Sequence, residues 1–158
     1  MNDECKYGDD FLNKLDSILE QSLLNQGIQD VVAMVKGGQV AVPDLIQPSA
    51  GKMYWEGAAQ VLLALPPQYL NGHEALLFDA IQDSNWPGFD QFIDLLARQP
   101  IAHLLPLYTS AYEQAKQEDD DLWVWCLYRL GQRINIQQDV EDVWADMRLY
   151  LESLGWEF

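Results

Sequence analysis

The sequence predicts an all-α fold. Apolar residues recur three and four positions apart almost throughout. The breaks between these runs fall at Gly, Pro, Asn and Asp. No alternating run reads as a convincing strand. With 158 residues, 49% of them apolar, the chain can bury a real core and lies far from a disordered composition. The expected organisation is a polar tail over residues 1–8 and one helical domain over residues 9–158.

Phe11, Leu15, Ile18, Leu19 and Leu23 mark one face of a first helix. Asp9 and Asp10 precede it, where the positive end of the helix dipole favours acids. Gly27 is its expected end. Ile28, Val31, Val32 and Val35 form a shorter second helix, stopped by Gly37 and Gly38. From Val40 to Pro48 the β-branched residues favour extension, but Pro43 and Pro48 leave a loop with at most one helical turn. A third helix is expected from about Ser49 to Leu65, with Tyr54, Ala58, Val61, Leu62 and Leu65 on one side. Pro66 and Pro67 end it.

Asn71-Gly72 punctuates the chain, and Glu74 to Gln82 reads as a helix through Leu76, Leu77, Ala80 and Ile81. Ser84-Asn85 offers N-cap chemistry, and Pro87 suits a first helical turn. Phe89, Phe92, Ile93 and Leu96 follow on that helix. Pro100 closes it and opens another through Leu104, Leu107, Tyr108 and Ala111, which Pro106 is expected to kink. Asp119-Asp120-Asp121 caps a helix carrying Leu122, Trp125, Cys126, Tyr128 and Arg129. The last helix spans roughly Gln138 to Leu154 through Val140, Val143, Trp144, Met147, Tyr150 and Leu151, with Gly155 as its C-terminal cap.

This makes about eight helices. Two of the later turns look alike: Asp83-Ser84-Asn85 leads to Phe89 and Phe92, and Asp119-Asp120-Asp121 leads to Trp125 and Tyr128, an offset of 36 residues in each case. Antiparallel helix pairs at that spacing suggest a HEAT- or armadillo-like α-α superhelix. An irregular bundle fits the same spacing.

The stretch from Leu76 to Leu130 carries a pattern of its own: a helix, then Asp83, Asn85, Trp86 and Pro87, two further helices, and an acidic turn before Asp121, Trp123 and Trp125. It resembles a family of small HEAT-like helical bacterial proteins, of the kind found among toxin immunity proteins, including those of contact-dependent inhibition. Gly88 and Phe89 depart from the small aliphatics that such a pattern would place after Pro87. The residues themselves make structural sense there. Asp83 and Asn85 can bond backbone amides at a helix start, Trp86 can pack back across the turn, and Pro87 needs no amide partner.

Established catalytic and cofactor patterns fail residue by residue. A phosphate-binding loop needs Gly-x-x-x-x-Gly-Lys-Ser/Thr, but Ile46 stands at its first Gly and Met53 follows Gly51-Lys52. A zinc helix needs His-Glu-x-x-His, but Leu77 takes the second His position after His73-Glu74, and His103 stands alone. Asp83, Asn85, Gly88 and Asp94 fall at calcium-loop positions, but Pro87 intervenes as a poor ligand. No Gly-x-Ser-x-Gly elbow exists, and Cys126 lies among Trp125, Leu127 and Tyr128, which suits a buried inert thiol. Acids such as Asp139, Glu141, Asp142 and Asp146 read as a solvated helix face. No cofactor, no metal and no catalysis are expected.

The charge balance points elsewhere. Twenty-five acids against nine bases give a net charge of −16. Such a surface repels nucleic acid and anionic membrane and attracts a basic partner. Solubility alone is the plainer reading of the same number. Two cysteines with no framework spacing fit a reducing compartment, and a polar, acidic N-terminus is the reverse of a signal peptide, so a cytoplasmic, non-membrane protein is expected. Together with the resemblance, this implies an immunity protein that neutralises a cognate toxin, expected to be a basic nuclease, with no bound nucleic acid or membrane. The expected contact surface is Glu118, Asp119, Asp120, Asp121 and Trp123, with Asp139, Glu141 and Asp142 from the following helix. The competing readings are a HEAT-like adaptor for an endogenous partner, a nucleic-acid mimic, for which the acids are too scattered, and, last, an unrecognised enzyme.

Overall fold

A computed structural model describes residues 24–46 and 51–158. Within them the chain is all-helical, with eight α-helices and no strand. These are α1 (Leu24–Lys36), the single turn α2 (Val42–Leu45), α3 (Trp55–Ala64), α4 (Glu74–Ala80), α5 (Phe89–Ala97), α6 (Ile101–Gln117), α7 (Asp121–Ile134) and α8 (Glu141–Ser153). Short 3-10 turns at Lys52–Tyr54 and Pro67–Leu70 precede α3 and α4. The helix expected over Phe11 to Leu23 lies outside the described residues.

The packing order is that of an α-α superhelix. Helices α1, α3, α5 and α7 pack each on the next in one row, and α4 packs on α6 in a second. Contacts of α4 with α5, α6 with α7 and α7 with α8 join the rows. Helix α3 is the clearest product of this arrangement. Trp55, Gly57, Ala58, Ala59, Val61 and Leu62 are all buried, so it is covered nearly all round. Its small residues let α1 and α5 approach from two sides.

Gly27 does not end a helix; it lies inside α1. The apolar stripe of Val31, Val32 and Val35 is buried, and such packing outweighs the roughly 1 kcal/mol that a helical glycine costs. The stop comes at Gly37-Gly38 as expected. Gly38 takes a φ of +74°, and the amides of Gly38 and Gln39 bond the carbonyls of Val35 and Met34. Pro106 lies inside α6, which runs on continuously to Gln117.

Ser84, Asn85 and Pro87 do not begin a helix. Asp83 Oδ1 accepts from the Asn85 amide at 2.7 Å, closing an Asx turn. Two further turns follow before α5 starts behind Gly88, whose φ is +82°. A Cβ there would lie 3.0 Å from the Trp55 carbonyl oxygen and 3.1 Å from the Phe92 ring. Glycine is therefore required twice over, by backbone conformation and by space. Trp86 packs edge-on against Trp55, with centroids 5.6 Å apart, as its expected role demands. Of the calcium-loop residues, Asp94 is committed to Arg133 at 3.2 Å.

Helix α7 is rotated from its expected face. Trp123, Val124, Leu127, Leu130 and Gly131 point inward with Cys126 and Tyr128, whereas Leu122 and Trp125 are only half-buried and Arg129 is exposed. The reason is coverage, because α5, α6 and α8 all pack on α7. Gly131 is the closest approach: a Cβ there would overlap the Trp144 ring and the Tyr108 hydroxyl. That hydroxyl donates to the Leu127 carbonyl at 2.7 Å, so it is satisfied within the tight crossing.

Candidate functional site

The acidic turn between α6 and α7 is built as a joint. Asp119 adopts a left-handed φ of 52°. The amides of Asp119 and Asp120 return to the carbonyls of Lys116 and Ala115, ending α6. Asp120 then starts α7, its Oδ1 accepting from the Trp123 amide at 3.0 Å. Asp121 accepts the Tyr150 hydroxyl at 2.6 Å, tying α8 to the same joint. That carboxylate pushes the Tyr150 phenol up to about 12. Of the expected contact residues here, only Glu118 and Asp119 are exposed, and Asp120 and Asp121 are half-buried in structural bonds.

Trp123 is not a surface residue. It is 1% exposed and belongs to the core. Its inward position follows from the rotation of α7 described above. None of the six tryptophans is exposed. The exposed apolar residues at the C-terminal end are instead Leu149, Leu154 and Phe158. Phe158 leans on a stack of Trp125, Tyr128, Trp144 and Trp156. The Trp125–Trp156 centroids are 4.6 Å apart and those of Tyr128 and Trp144 4.5 Å.

Asp139, Glu141 and Asp142 are all exposed at the start of α8. Asp142 enters a feature that the sequence did not show: a groove of about 410 Å³ between α6 and α8, lined by Tyr112, Glu113, Lys116, Gln117, Asp142, Val143 and Asp146. Three carboxylates rim it against one cation. That cation is committed: Lys116 Nζ lies 2.7 Å from Asp146 Oδ2, which also accepts the Tyr112 hydroxyl at 2.6 Å. The Lys116 and Tyr112 hydrogen bonds hold the Asp146 carboxyl below its ordinary range, so it stays charged. Tyr112 and Val143 supply apolar lining. The groove is therefore an acid-rimmed cleft with an apolar patch and no cation free to neutralise its rim. Its residues come from two helices, one turn or so apart on each, which explains why no local motif announces it.

Other bases are likewise engaged. Arg129 faces Asp90 at 3.8 Å, Arg133 faces Asp94 at 3.2 Å, and Arg148 faces Glu152 at 3.4 Å. Arg98 donates to the Leu63 carbonyl at 3.0 Å.

His103 and Cys126 take structural places. His103 Nδ1 lies 3.1 Å from Oε1 of the buried Glu74, whose Oε2 accepts from the Gly72 amide. Cys126 is fully buried, and burial pushes its thiol up to about 12, which leaves almost no thiolate at neutral pH. Among the described residues, no group of three or more His, Cys, Asp or Glu stands close enough to hold a metal ion. No helix among them is long and apolar enough to cross a membrane.

Compared with family models, curated proteins and solved structures, the chain matches none.

Proposed function

We propose that this chain is an inhibitory binding protein of the immunity type, which neutralises a toxin domain by occupying its basic surface. The observation that carries the reading is the groove between α6 and α8, where Glu113, Asp142 and Asp146 outnumber an already paired Lys116 beside apolar Tyr112 and Val143. An exposed acidic rim speeds encounter with a cationic partner, and an apolar patch slows its departure. A nuclease is the favoured target, because its substrate site must present positive charge to phosphates. The net charge of −16 and the resemblance of the Asp83–Trp125 stretch to immunity proteins support the same reading.

Within it, the contact surface is narrower than the sequence implies. Glu118, Asp119, Asp139, Glu141 and Asp142 remain available, joined by Glu113 and Asp146, while Trp123 drops out. The test is association kinetics with the product of the gene immediately upstream, measured at low and high salt. The rate should fall by at least about tenfold across that range. Glu113→Gln, Asp142→Asn and Asp146→Asn together should slow association at low salt while leaving the fold intact. A rate indifferent to both salt and the triple substitution removes the proposal.

A further inference from the structure

A second depression lies between the turn that carries Gly51 and Lys52, helix α3, helix α4 and the Trp86 turn. It measures about 510 Å³, and its lining includes Lys52, Trp55, Asp79, Gln82, Trp86 and Gln114. Its charges are unusual for this chain, because they are not spent on each other. The Lys52 ammonium lies 4.0 Å from the Trp86 centroid and 5.8 Å from that of Trp55, with no carboxylate in ion-pair range among the described residues. Asp79 has no hydrogen-bond or ion-pair partner among them either. Partial burial lifts its carboxyl above the ordinary range, although the side chain is exposed.

The third feature is buried. Trp55 is 5% exposed, yet its indole N–H meets no acceptor. Buried indole donors almost always find one. Two opposite charges are therefore unspent at one depression, and an unanswered indole donor lies buried in its wall. The Gln114 amide already donates to Glu118 at 2.8 Å, which leaves its carbonyl oxygen to accept from a guest.

We propose that this depression binds a small zwitterion of amino-acid type, whose carboxylate pairs with Lys52 and whose ammonium pairs with Asp79. Neither a monovalent anion nor a monovalent cation answers both charges. This site is separate from the acidic groove and does not depend on a protein partner.

The experiment titrates the full-length protein with glycine, γ-aminobutyrate and ε-aminocaproate, three zwitterions with increasing charge separation, and follows tryptophan fluorescence and the indole N–H resonances. At least one should bind saturably with a Kd of roughly 0.1–10 mM and move the Trp55 resonance. Acetate and methylammonium should bind at least about tenfold more weakly, as should the best zwitterion to Asp79→Asn and to Lys52→Met. Both substituted side chains lie outside the core, so thermal midpoints should hold and loss of binding cannot be put down to unfolding. No saturable response to any of the three overturns the proposal. So does binding that survives both substitutions, or acetate binding as tightly as the best zwitterion.

Discussion

The turns Asp83–Gly88 and Glu118–Asp121 read almost alike, a polar run with Asp followed by aromatics at the same offset, yet they are built on different principles. The first is held by shape: an Asx turn, two further turns, and a glycine wedged between the Trp55 carbonyl and the Phe92 ring. The second is held by carboxylates: Asp120 caps α7 and Asp121 receives Tyr150. Helix α5 starts at Phe89 and α7 at Asp121, so the offset between helix starts is not that of the sequence pattern. A repeated composition need not be a repeated structure, because a carboxylate serves as readily in an Asx turn as in an N-cap.

Substitutions test that contrast. Gly88→Ala should be the most damaging, at about 2–4 kcal/mol, because it combines left-handed strain with overpacking; chemical denaturation would show it as a lowered midpoint. Asp120→Ala should cost about 1 kcal/mol through the lost cap, and Asp120→Asn much less. If Gly88→Ala proves the milder of the two, the shape-against-charge distinction fails.

The second turn should also respond to alkali. The Tyr150 phenol sits near 12 in the folded chain against an ordinary 10.0, so folding favours its protonated form. Its contribution is complete below pH 10, declines as pH rises towards about 12, and should vanish from the pH profile of Tyr150→Phe. Thermal melts of the two proteins between neutral pH and that range would measure the difference. The smallest effect belongs to Asp119→Gly, which relieves a left-handed aspartate and should leave stability within about 0.5 kcal/mol of the parent, on the stabilising side.

Much of the fold was legible because helical period and breakers are local signals. Gly37-Gly38, Pro66-Pro67 and Pro100 stop or start helices where expected, and Gly155 follows α8 with a φ of +86°. Met147 and Leu151 are buried as the period of the last helix requires. The errors came where several helices compete for one residue. Gly27 was overruled by the stripe beside it, and Trp123 was misplaced because α7 buries a broad arc against three neighbours, not one stripe. The candidate groove was only half legible. Asp142 and Asp146 were visible as acids, but their meeting with Glu113 and Lys116 depends on how α8 crosses α6, which no local pattern encodes.

The enclosed thiol on α7 gives the molecule a built-in clock. Alkylating reagents cannot reach Cys126 while that part of the stack is closed, so its labelling rate records how often the neighbourhood opens. Peptide mass analysis would separate its signal from that of Cys5. The thiol lies against the Ser84 backbone, close to Trp86, so a guest in the depression beside Trp55 and Trp86 should slow the rate.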